Sequence, residues 1–200
     1  MIIDSHAHIF TDDMIEHKDR YCDDKQFALL YYGKAKIANV TLLMDSMQNN
    51  GVDASVALGF TWQKNEYARR HNEYMAMVQE RHKGKVYAFG AIALDTDIYQ
   101  QIKNIKQIGL YGIGEVAFYV NGFTEEEETI VSNILAIAGD MELPVCLQKC
   151  LIHSACILLC SLYQLVYACI KCAFIIVFER CKKCLERIVF CFFLIIFFTQ

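Results

Sequence analysis

Between Asp53 and Leu94 the chain reads DASVALGF (53–60), then KNEYARRHNEYMAMVQERHK (64–83) and Gly84, then VYAFGAIAL (86–94). The first piece is an unbroken apolar run closed by Gly59, the pattern of a buried strand. The middle piece carries Tyr67, His71, Tyr74, Met75 and Val78 at helical spacing before Gly84, so it predicts a helix over 64–83. The third piece predicts the next strand. A strand, a helix and a second strand joined by short loops define a parallel crossover unit.

The same alternation extends in both directions. Upstream, Ile2–Ile9 is β-prone and Thr41–Asn50 fits a helix with Gly51 just past its end. Downstream, Ile98, Tyr99, Ile102, Ile105 and Ile108 mark a helix that stops at Gly109, and Leu110–Val120 reads as a strand interrupted by glycines. Thr124 and Glu127 have capping-box spacing, and behind them Ile130, Val131, Ile134, Leu135 and Ala138 form one helical face. A fifth strand starts at Leu143–Leu147. The predicted fold is α/β, a parallel sheet of about five β/α units over residues 1–147.

The composition changes near position 145. Residues 1–145 hold all ten glycines, the one proline (Pro144) and one cysteine (Cys22), with 13 Lys/Arg against 21 Asp/Glu. Residues 146–200 hold nine cysteines, 6 Lys/Arg and 2 Asp/Glu, and no Gly, Pro, Asp, Asn, Met or Trp. Ordinary usage puts about six Gly plus Pro in such a stretch, since loops need them for turns and caps. The whole chain, with a formal net charge of −4, lacks the basic balance of a nucleic-acid binder. Its opening residues show no basic and apolar leader, so the expected compartment is the reducing cytoplasm.

Chemistry is expected at the end of the first strand. Asp4, His6 and His8 alternate, which on a strand turns all three side chains to one face. Two imidazoles so placed can hold one divalent metal, because Zn–N bonds are only about 2.0–2.1 Å long. The alternative is a pair of ordinary polar residues at a strand end. Gly112-Ile113-Gly114-Glu115-Val116-Ala117 matches a dinucleotide-binding pattern formally, but β-prone Phe118-Tyr119-Val120 follows where a helix should open. The better reading places Glu115 on an apolar strand with its carboxylate aimed into the sheet interior or a barrel mouth, where a metal is one of the usual partners.

The opening MIIDSHAH, the GIGEVA of the fourth strand and the ELPVCL of the fifth resemble the amidohydrolase superfamily, in particular the metal-dependent hydrolases of TIM-barrel fold in its amidohydrolase-related and TatD-like branches. The resemblance covers residues 1–147. It implies one or two divalent ions, usually zinc, with His6 and His8 as ligands and Glu115 as a ligand or metal bridge with the catalytic role. It also implies a small-molecule substrate whose amide, ester or phosphoester is attacked by water. The chain departs from the pattern at Gln148, where the family has a histidine ligand, and it has no aspartate after Asp140 and no later histidine but His153. A complete (β/α)8 barrel also needs roughly 250 residues.

Residues 148–200 form an atypical apolar, cysteine-rich tail with three competing readings. Cys150–Ile170 is uncharged and long enough to span a bilayer, although His153, Ser154, Ser161 and Gln164 weaken that case. Cys169/Cys172 and Cys181/Cys184 are two C-x-x-C pairs, but lie closer together than structural zinc sites usually place them. The favoured expectation is a shift of reading frame just after Leu147, which breaks the fifth-strand motif and removes Gly, Asp, Asn and Pro together. Two function classes follow: a metal-dependent hydrolase with reduced or lost activity, and a non-catalytic truncated product or membrane-tethered half-barrel.

Overall fold

The structure, a computed structural model, describes residues 2–120 and 124–148 together with the backbone of three short strands at 173–174, 193–196 and 198–199. The predicted alternation is present as β1 (Ile3–His8), α3 (Val40–Asn50), β2 (Ala54–Leu58), α4 (Asn65–Arg81), β4 (Val86–Gly90), α5 (Ile98–Gln107), β6 (Gly112–Val116), α6 (Glu125–Asp140) and β7 (Val145–Gln148). The five strands pair in parallel in the order β1-β2-β4-β6-β7, so each unit adds its strand beside the preceding one. This is an incomplete α/β barrel. At the β7 edge the backbone of Phe193–Ile196 pairs antiparallel to Val145–Gln148. The stretch read as a membrane span, both C-x-x-C pairs and the rest of the tail for which a frame shift is expected otherwise lie outside the described residues.

Two expectations need correction. The run 86–94 is not one strand: it breaks at Ala91 into β4 and β5 (Ile92–Ala93), and β5 pairs with β3 (Thr61–Trp62), a continuation of β2 past Gly59 and Phe60. The two strands approach closely at the break. A Cβ on Gly59 would stand 2.4 Å from the Ala91 backbone nitrogen, so the two chains touch where their ladder is interrupted. The second correction concerns residues 10–40, to which the periodicity assigned no element. They fold as α1 (Asp12–Glu16), a 3-10 turn (Lys18–Tyr21) and α2 (Lys25–Tyr31), helices too short to show a repeating face.

Side-chain amides fill the gaps in the ladder. Asn72 donates to the Ala91 carbonyl at 2.9 Å and accepts from the Ala91 N–H at 2.6 Å. Gln101 does the same for Ala93 at 2.8 and 2.7 Å. Buried Asp24 caps α2 at Phe27 N and accepts the Gln63 and Lys64 N–H groups at 2.7 and 3.1 Å, tying α2 to the segment before α4. The Ala91 and Phe27 groups would otherwise be buried without these partners.

The core has three parts. Ala57, Ala88, Ile92, Ile113, Val116 and Val145 face the helices and meet Val78, Ile102, Ile105 and Ile134. An aromatic cluster of Phe10, Phe27, Phe60, Trp62 and Tyr21 seats α1 and α2 over β3. Leu58, Phe89 and Cys146, with Val56, line the concave face of the sheet. The period-2 alternation of the strands separates the first part from the third. It also turns His6 and His8 away from Ala7 and Ile9, which pack with the helices.

Candidate metal centre

His6 and His8 at the C-terminal end of β1 meet Glu115 of β6 across the concave face. The His6 and His8 Nε2 atoms are 3.0 Å apart, and Glu115 Oε2 lies 3.1 Å from His8 Nε2 and 3.6 Å from His6 Nε2. Glu115 is only 2% exposed, whereas the two histidines are half-buried. Three donors thus come from two strands that are not neighbours, at the end of a parallel sheet where such folds build their sites.

The donor chemistry tests whether a cation belongs here. His8 Nδ1 faces the Leu58 carbonyl at 3.2 Å, and a carbonyl can only accept, so Nδ1 carries the proton. His8 Nε2 then presents a lone pair to the Glu115 carboxylate, and two lone pairs at 3.1 Å repel unless a proton or cation is shared between them. Donors bound to one zinc by bonds of about 2.0–2.1 Å lie roughly 3.3 Å apart along a tetrahedral edge. The three observed separations straddle that value. Two imidazoles and a carboxylate also suit manganese or iron, so the donor set fits a divalent metal without selecting one.

Burial and the adjacent His8 hold His6 below the usual histidine range, against the weaker opposite pull of Glu115 and Asp4. His6 is therefore neutral at pH 7, as a ligand must be. Asp4 does not join the cluster. The β1–β2 register shifts between Asp4 and Ala7, and the Asp4 carboxylate accepts the His6 backbone N–H at 3.1 Å. The local bulge thus breaks the strict alternation from which a common face for Asp4, His6 and His8 is expected.

The Glu115 backbone is fixed from an unexpected side. The β6–β7 register is interrupted between Ile113 and Val116. Gly114 there has φ 120°, and a Cβ on it would meet the Cys146 carbonyl at 2.4 Å, so no other residue fits. Glu115 N–H donates instead to the Gly59 carbonyl at 2.9 Å, and the Glu115 carbonyl accepts from the Thr61 hydroxyl at 3.1 Å. Gly112–Val116 is a strand, not a phosphate-binding turn.

Gln148 stands beside the cluster. With its amide nitrogen turned inward it donates to the Glu115 carboxylate and to the Tyr119 hydroxyl at 3.0 Å. Burial, with a smaller contribution from Glu115, pushes the Cys146 thiol up to about 12, so it stays protonated beside the site. The sequence reading missed Thr61 and Tyr119. Neither carries a local signal, since each acts on a residue more than 25 positions away.

No family model matches the chain, and no curated protein is similar to it in sequence. Among solved structures it is similar to 5-carboxyvanillate decarboxylase from Sphingomonas paucimobilis, with 16% identity and a TM-score of 0.54 over 72% of this chain and 50% of that one. It is similar also to 5-carboxyvanillate decarboxylase from Novosphingobium aromaticivorans in complex with manganese and 4-hydroxy-3-methoxy-5-nitrobenzoic acid, with 16% identity and a TM-score of 0.56 over 72% and 49%. The chain spans about half the length of these enzymes. The likeness is one of fold: the parallel β/α units of this chain match part of a larger α/β barrel, the architecture that the resemblance in sequence implies. No helix among the described residues is long and apolar enough to cross a membrane.

Proposed function

We propose that residues 2–148 are the metal-holding part of a metal-dependent barrel enzyme of amidohydrolase type, with His6, His8 and Glu115 as its ligands. The reaction is hydrolysis of a small amide, ester or phosphoester, reduced or lost in this chain. The observation behind the reading is the convergence of three donors from β1 and β6, with the His8 lone pair and the Glu115 carboxylate opposed at 3.1 Å. A bound divalent ion, zinc being the expected one, supplies Lewis-acid polarisation and lowers the pKa of a bound water toward about 7.

The chain's own residues do the rest. The Leu58 carbonyl holds the His8 ring and its tautomer, as partners behind metal-binding histidines commonly do. Glu115 brings the negative charge. Gln148 donates to that carboxylate but cannot accept a proton from water, because an amide is not a base. This supports reduced activity and keeps open a second reading, a non-catalytic product. Since two of the structures it is similar to are decarboxylases, the activity screen includes CO2 release from small carboxylic acids beside ester, amide and phosphoester cleavage.

Elemental analysis of the dialysed full chain tests the reading. A divalent metal is expected in the wild type, little in His6→Ala/His8→Ala, less than wild type in Glu115→Gln, and more in Gln148→His. Equal content in the wild type and the double variant would overturn it.

A further inference from the structure

We infer that Thr61 is a positioning residue for Glu115, setting where its carboxylate stands relative to His6 and His8; this rests on the metal-centre reading above. Thr61 is fully buried, and its hydroxyl uses both of its capacities on the strand that carries Glu115. It donates to the Glu115 carbonyl at 3.1 Å and accepts from the Ala117 N–H at 3.0 Å. These bonds bracket Val116, so one side chain clamps the backbone on both sides of a single residue.

The clamp stands where the ordinary ladder fails. The register between β6 and β7 shifts between Ile113 and Val116, so the Glu115 peptide is not held there by regular strand pairing. Its N–H goes to Gly59, in the link between β2 and β3, and its carbonyl to Thr61, the first residue of β3. That segment is itself anchored, because Thr61 pairs with Ile92 in the β3–β5 ladder. Beyond the clamp Gln26 continues the strapping, donating to the Ala117 carbonyl at 3.2 Å and accepting from Tyr119 N–H at 2.9 Å. Both bonds of the Thr61 hydroxyl are to backbone groups, so its effect on the metal passes through the Glu115 backbone.

The test is metal affinity, measured by calorimetric titration of the full chain with Mn2+ or Zn2+ beside a denaturant melt. Thr61→Val keeps the shape and removes both bonds. It is expected to weaken binding by roughly 10–100-fold, the usual effect of removing a group that supports a ligand. Thr61→Ser, which restores the hydroxyl, is expected to bind as the wild type does. In a double-mutant cycle Thr61→Val should add little to Glu115→Gln, since both act through one carboxylate. Ile102→Val, a core change in α5, controls for lost stability and should leave affinity unchanged. If Thr61→Val does not fold, Thr61→Ala carries the same comparison. Wild-type affinity in the hydroxyl-free variant, or a loss that adds in full to that of Glu115→Gln, would overturn the inference while leaving the metal centre standing. A wild type that binds no metal would overturn both.

Discussion

His71 shows how a residue that resembles a ligand can be wholly structural. It sits on the inner face of α4 with no exposed surface, its ring stacked on Phe10 at 5.1 Å. Its Nε2–H donates to the Ile9 carbonyl at 2.8 Å, and its Nδ1 accepts from the Trp62 indole at 3.4 Å. Both nitrogens are used, and burial pushes its pKa down to about 4. Unfolded, the same ring titrates near 6.5. Between those values the unfolded chain binds more protons, so stability is full above pH 6.5 and falls as pH drops toward 4. At 1.36 kcal/mol per unit, the loss due to His71 is about 3 kcal/mol. Urea melts at pH 7 and pH 4.5 should show a much smaller difference in His71→Gln than in the wild type. His6, also lowered, contributes in the same direction. An unchanged pH dependence in the variant would contradict the assignment.

At the scale of elements, the strands stay joined where their ladders break because helix side chains replace the missing backbone partners. Asn72 lies on α4 and satisfies both polar groups of Ala91 at the β4–β5 break. Asn72→Leu leaves a buried N–H and a buried carbonyl unpaired, each costing about 1–3 kcal/mol. A loss of about 3 kcal/mol is expected in chemical denaturation, with the α4 packing otherwise kept. Gly114 is a sharper case. Gly114→Ala puts a Cβ against the Cys146 carbonyl at a backbone angle that favours glycine, so β6 must move. Glu115 moves with it, and metal binding should fall even if the variant folds; calorimetric titration of the purified variant checks this.

Across the whole molecule, the centre joins β1 to β6, strands more than 100 residues apart in sequence. A ligand that binds only the assembled site stabilises the fold by mass action, by about 2.7 kcal/mol at a hundredfold excess over Kd. Added Zn2+ or Mn2+ should therefore raise the melting temperature of the wild type, and a chelator should reverse the rise. His6→Ala/His8→Ala should not respond to either. The tail has its own test. We propose that it is out of frame from about codon 148. Another frame of the encoding DNA should then carry a histidine at that codon, followed by glycine- and aspartate-containing barrel sequence. Stop codons in both other frames would exclude this.

The sequence alone determined what repeats or alternates along the chain. The period of the apolar residues marks the β/α units, and the two-residue spacing of His6 and His8 puts two nitrogens on one strand face. Glu115 was legible as a carboxylate on an apolar strand, which needs a partner. Only the tertiary structure decided that this partner is the histidine pair, that Asp4 turns back onto its own backbone, and that Gln148 reaches the same carboxylate. It alone disclosed Thr61, Asn72 and Gln26 as the groups that hold broken ladders together. The physical reason is range. A strand or helix leaves its period within a dozen residues, whereas a buried hydrogen bond between Thr61 and Glu115 leaves no mark on the residues beside either one.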